Sequence, residues 1–132
     1  MLEKINYEEL IDPLCIPVIK YMREELGIDT QYCCQGMVKG EVKDPPHSLS
    51  GYICALYSPA TVETFRKIYK LELHRFPHLL RKGKEAKLRV FGEKSKRDKE
   101  IAVYLPVRRW ESKKKLKEEW DLILETIKDS QA

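Results

Sequence analysis

Three observations predict an α+β fold, a two-layer sandwich in which a four-stranded, mainly antiparallel sheet carries helices on one face. Apolar residues switch between period two and helical period in the order α-β-β-α-β-β-α. The segments are bounded by residues that start or stop helices, Ser58-Pro59, Gly27 and Pro77 among them. Residues 28 to 73 and 86 to 128 each read as two strands followed by a helix, as a cryptic duplication would. At 132 residues the chain is expected to form a single domain, 1 to 132, with one core.

Asn6 followed by Glu9 forms a capping box for a short opening turn, which Pro13 interrupts. Leu14, Val18, Ile19, Met22 and Leu26 then recur at helical spacing. Because Pro17 is tolerated only in a first turn, the helix is placed from about Ile16 to Leu26, with Gly27 as its cap. Ile28 to Cys34 reads as a strand with Ile28, Thr30, Tyr32 and Cys34 on one face and Asp29, Gln31 and Cys33 on the other. The connection from Met37 to Gly51, with Pro45 and Pro46, is long enough to be a binding loop or a moving flap.

Tyr52 to Tyr57 gives the second strand, and Ser58-Pro59 starts a helix whose stripe is Val62, Phe65, Ile68, Tyr69 and Leu73, ended by Pro77. Lys87 to Phe91 and Ile101 to Leu105 form a second hairpin with a charged tip. A last helix runs from about Ser112 to Lys128 with Leu116, Trp120, Ile123, Leu124 and Ile127 on one side.

Composition excludes whole classes. Hydrophobic residues at 42% and charged residues at 35% fit neither a disordered chain nor a membrane protein. The opening residues lack the basic and apolar regions of a signal peptide, so the expected location is the cytoplasm and the four cysteines are expected to be reduced. The formal charge of +4 conceals an asymmetry: residues 81 to 117 hold 15 Lys and Arg against 5 Asp and Glu, a balance of +10, and the remainder sums to −6.

Two regions carry candidate chemistry. The first is the strand tip Cys33-Cys34-Gln35-Gly36. A strand ending at glycine can turn its backbone N–H groups into a common concavity that binds anions, and a thiol there would be a nucleophile or proton donor. Cys34 and Cys33 are therefore the candidate catalytic residues, and Gln35, Gly36 and His47 on the following loop the candidate ligand-binding ones. The bland alternative makes both cysteines small buried hydrophobes. A zinc site is not expected, because the one closely spaced ligand pair, His74 and His78, is separated by Pro77.

The second region is the basic segment, where Lys94, Lys96, Arg97, Arg108, Arg109, Lys113 and Lys114 supply the cation density that phosphate neutralisation requires. A solvated hairpin is the competing account. Phe91, Tyr104 and Trp110 lie in or beside it as candidates for stacking on bases, but strand alternation makes the first two as suited to covering the second face of the sheet as to meeting a ligand, and Trp110 is equally a staple for the helix that follows.

The run Ile28 to Gly36, followed by a hairpin strand and the helix beginning Ser58-Pro59-Ala60-Thr61-Val62, resembles the tRNA wybutosine-synthesis methyltransferase family. That family carries a Ser-Cys-Ser-Gly turn at the end of an early strand. Cys34 and Gly36 match it, while Cys33 and Gln35 stand where the family has serines. The resemblance spans roughly residues 28 to 70 and implies S-adenosylmethionine as cofactor and a modified guanine in tRNA as substrate. The same turn is also similar to stretches in short uncharacterised bacterial and phage-type proteins, which implies no activity.

The sequence thus points to a small nucleic-acid-binding domain, RNA rather than DNA, with a modifying site at Cys34 to Gly36. The alternative is a non-enzymatic accessory or interaction protein with structural cysteines. Substrate, reaction and oligomeric state are not written in these residues.

Overall fold

A computed structural model describes residues 2–41, 50–91 and 99–129. In chain order the elements are α1 (Tyr7–Leu10), a 3-10 turn (Pro13–Cys15), α2 (Ile16–Glu24), β1 (Thr30–Cys34), β2 (Met37–Val38), β3 (Tyr52–Leu56), α3 (Pro59–Arg75), a second 3-10 turn (Pro77–Lys82), β4 (Lys87–Phe91), β5 (Glu100–Tyr104), β6 (Arg109–Trp110) and α4 (Lys113–Asp129). The main sheet is four-stranded and antiparallel in the order β1-β3-β5-β4, and helices pack on it. The two β-β-α units thus lie on either side of the central β3–β5 pair. A second, two-stranded sheet pairs β2 with β6 in parallel, Met37 opposite Arg109 and Val38 opposite Trp110, which the sequence does not announce. Among the described residues no helix is long and apolar enough to cross a membrane.

Local chemistry accounts for the boundaries. Asn6 Oδ1 accepts from the Glu9 amide at 3.3 Å, and Ser58 Oγ from the Thr61 amide at 3.1 Å ahead of Pro59. Ser112 Oγ accepts from the Lys115 amide at 3.2 Å and so caps α4. α2 ends two residues earlier than its apolar spacing implied, because Gly27 at φ +65° turns the chain and lets the Ile28 amide reach the Met22 carbonyl at 2.9 Å.

The core lies between the sheet and the helices. Ile53, Ala55, Ile101 and Val103 from the central strands meet Ile19 and Met22 of α2, Phe65 and Ile68 of α3, and Leu116, Trp120, Ile123 and Ile127 of α4, all buried. The buried Arg23 guanidinium ties the start of β1 down by donating to Asp29 Oδ1, the Thr30 carbonyl, Thr30 Oγ1 and the Glu3 carbonyl.

One expectation about β1 is corrected. Thr30 pairs with Ala55 but Tyr32 pairs with Cys54, so the register slips by one residue at Gln31. This bulge breaks the strict alternation. Thr30 stands opposite the inward-facing Ala55 and Ile28 is buried in the core, whereas Tyr32 and Cys34 point to the other side of the sheet.

The α3–α4 contact buries charge. Glu119, only 2% exposed, accepts from Arg75 at 2.7 and 3.1 Å, and Glu72 beside it is fully buried. Burial first, and then the neighbouring Glu119 carboxylate, push the Glu72 carboxyl up to about 9. Folding therefore retains a proton that the unfolded chain loses above the ordinary carboxylate range, so this group's contribution to stability falls as pH rises toward about 9. Glu72→Gln keeps the shape and removes the titration. Its melting temperature should depend less on pH than that of the natural chain, with a gain of roughly 1 kcal/mol or more at about pH 8. Parallel slopes for the two proteins in thermal melts across that range would contradict the assignment.

Candidate functional site

Strand register assembles a face that no short motif announces. On the side of the sheet opposite the main core, antiparallel pairing sets out three cross-strand rows: Cys34–Tyr52–Tyr104–Lys87, Tyr32–Cys54–Ala102–Arg89, and Leu56–Glu100–Phe91. Each of the four strands contributes one aromatic ring, Tyr32 from β1, Tyr52 from β3, Tyr104 from β5 and Phe91 from β4. Tyr32 is 64% exposed and Phe91 42%, values far outside the core range for rings of this size.

The arrangement is a shallow aromatic platform. Tyr52 and Tyr104 are tilted against each other with centroids 5.8 Å apart, and the Arg89 guanidinium lies 5.7 Å from the Tyr104 centroid. Between the large rings the second row is small, Cys54 opposite Ala102. This leaves a depression of about 440 Å³ lined by Tyr32, Tyr52, Cys54, Phe91, Glu100 and Tyr104. At its edge the Cys54 thiol donates to Glu100 Oε2 at 3.1 Å. Burial, and next the hydrogen bond to Glu100, hold that thiol protonated with its pKa pushed up to about 12. Burial likewise raises the Tyr52 phenol.

The Cys33–Gly36 turn lies at the end of this platform and is packed from several sides. Gln35 is 6% exposed. Its amide donates to Asp12 Oδ2 at 3.0 Å, its side-chain Oε1 accepts from the Leu14 amide at 3.2 Å, and its carbonyl accepts from Trp120 Nε1 at 3.0 Å. Gly36 has φ +99°, and a Cβ there would meet the Gly51 amide at 3.4 Å. A Cβ on Gly51 would approach the Gln35 carbonyl and Leu105 Cδ1 to 3.0 Å each. The two glycines let β1 and the start of β3 close on one another.

The two adjacent cysteines point apart, as strand geometry requires. Cys34 belongs to the platform side and is buried. Cys33 is half-buried, packs against the core and lines a second cavity of about 280 Å³ with Ile11, Ile19, Tyr32 and Tyr52. A hydrogen bond from the buried Cys15 thiol, outweighing the opposing effect of burial, lowers the Cys33 pKa, and Cys15 is raised in return. Cys15 and Cys33 thus influence one another's protonation, a coupling that the spacing of the cysteines in the chain does not disclose. Among the described residues no three His, Cys, Asp or Glu side chains are gathered as metal ligands.

The remaining sequence candidates are dispersed. His47, Lys94, Lys96 and Arg97 lie outside the described residues. Arg108 stacks 4.3 Å from the Trp110 centroid and 5.1 Å from that of Phe76, and pairs with Glu111 at 2.6 Å. Arg109 donates to the Glu41 carbonyl at 3.0 Å. Lys113 and Lys114 are exposed at the start of α4. These four belong to the segment around β6, whereas Lys87 and Arg89 of the same basic region stand on the platform itself.

No protein-family model matches the chain, and neither a curated protein nor a solved structure is significantly similar to it.

The cysteine environments give a direct test. With a small alkylating reagent near neutral pH, Cys33 should be modified ahead of Cys54, because the thiolate is the reacting form and only Cys33 is shifted toward it. Peptide mapping by mass spectrometry after short exposures reads the order. Prior loss of Cys54 would contradict the two environments described.

Proposed function

We propose that the protein binds single-stranded nucleic acid, RNA in particular, across the exposed face of its main sheet. The observation that carries this reading is one aromatic ring per strand, Tyr32, Tyr52, Tyr104 and Phe91, set around a common depression. Unpaired bases gain roughly 1–3 kcal/mol each by stacking on such rings, and a four-stranded sheet is flat enough to take successive bases. A duplex cannot use the surface in this way, since its bases are already stacked on one another.

The charges support the same reading. Lys87 and Arg89 stand at the β4 side of the platform, where a backbone crossing the sheet would bring its phosphates, and Arg89 can also stack through its planar guanidinium. The basic residues Arg108, Arg109, Lys113 and Lys114 belong to the separate segment around β6 and α4, and the reading does not depend on them. The phenol hydroxyls lining the depression can both donate to and accept from a 2′-hydroxyl, the group that separates RNA from DNA. In this reading the Cys33–Gly36 turn supports the platform from below, and binding requires no chemical step at its thiols.

Fluorescence anisotropy with short labelled single strands tests the proposal. Tyr104→Ala and Tyr32→Ala should each weaken binding by roughly five-fold to a hundred-fold, a loss that persists at high salt because stacking is not screened. Joint reversal of Lys87 and Arg89 to glutamate should behave differently, flattening the salt dependence by about 0.7 in log–log slope for each phosphate contact removed. Absence of binding to single-stranded RNA at low salt, or indifference to both tyrosine substitutions, would overturn the proposal.

A further inference from the structure

A carboxylate within a surface that takes a polyanion needs a reason. Glu100 is the one acidic side chain in the three rows of the platform described above, and it lines the central depression among the aromatic rings. It cannot serve the phosphates, which it repels. Nor is it free to swing away, since Oε2 accepts the Cys54 thiol proton at 3.1 Å. What remains for it is the edge of a base.

From this we infer that Glu100 is a specificity-determining residue which selects guanine at the position beside Phe91 on the platform. The inference rests on the nucleic-acid reading above; the Cys33–Gly36 turn has no part in it. Bases stacked on the rings lie flat, so their edges run parallel to the sheet and meet whatever side chain stands beside the ring. Phe91 is the register partner of Glu100, so a base over that ring presents an edge toward the carboxylate.

An ionised carboxylate only accepts hydrogen bonds, and its two oxygens are spaced for two parallel donors. Guanine alone among the four bases offers two adjacent donors, N1–H and the N2 amino group. Cytosine and adenine place a ring acceptor beside their amino donor, and uracil flanks its single N–H with two carbonyls. Each of these would turn a lone pair toward Glu100. The Cys54 thiol leaves Oε1 and the second lone pair of Oε2 available, and by fixing the carboxylate's rotation it presents them to one direction.

The experiment compares labelled uridine oligomers, each carrying one central guanosine, inosine, adenosine or cytidine, with the all-uridine strand, for the natural protein and for Glu100→Gln. The natural protein should prefer the guanosine strand by roughly ten-fold or more, as a bidentate contact provides. Inosine, which keeps N1–H and lacks the amino group, should lose most of that preference. The glutamine variant presents one acceptor and one donor, so its ranking should move from guanosine toward adenosine and cytidine. A change of ranking is a readout that misfolding cannot produce. Equal binding of all strands by both proteins would overturn the guanine assignment while leaving the platform reading intact. Failure of every strand to bind would remove the platform reading itself, and the guanine assignment with it.

Discussion

The Gln35 peptide and side chain join three parts of the molecule that the chain reaches at widely separated points. Asp12 and Leu14 before α2, the end of β1, and Trp120 in the middle of α4 all meet at this one buried residue through hydrogen bonds of 3.0 to 3.2 Å. Buried polar groups of this kind cost about 1–3 kcal/mol when left without a partner, so the three bonds hold or fail as a set. With Gln35 fixed, Gly36 must turn away at positive φ and Gly51 must pass close to the Gln35 carbonyl. The long connection is thereby pinned at both ends, and β3 enters the sheet in the register that puts Tyr52 beside Tyr104.

The same constraint separates the two faces of the sheet by role. The helix side is filled to the point where even a carboxyl, Glu72, is accommodated in its neutral form. The platform side has small residues at its centre and large rings around them. Stability is concentrated on the first face, so substitutions of the exposed Tyr32, Phe91 or Arg89 leave the core in place.

Much of the fold is written locally. Ser58-Pro59, Ser112, Gly27 and Pro77 each act through their nearest neighbours, and the strands and helices they bound stand within a residue or two of where spacing puts them. What was not legible depends on partners distant in the chain. The bulge at Gln31 changes which side of the sheet Tyr32 occupies, and nothing in Thr30-Gln31-Tyr32 announces it; the register against Ala55 and Cys54 does. Alternation alone left Phe91 and Tyr104 divided between two roles, and only the addition of Tyr32 and Tyr52 from the other hairpin makes them members of a surface. The burial of Glu72 and Glu119 was likewise hidden, since a helical stripe read by hydrophobicity passes over acidic residues that pair across an interface. Conversely, the Cys33–Gly36 tip drew attention through its residue types, and its polar groups are engaged by Asp12, Leu14 and Trp120, which spacing could not bring to it.

The position of β4 has one further consequence. It is an outer strand, and its residues Leu88, Val90 and Phe91 would suit pairing with the same strand of another molecule, with Val90 and Phe91 each more than 40% exposed. Lys87 and Arg89 interrupt that run at alternate positions, and charges so placed discourage strand-to-strand growth between copies. Neutralising them would cost colloidal stability, whereas reversing their sign would keep molecules apart.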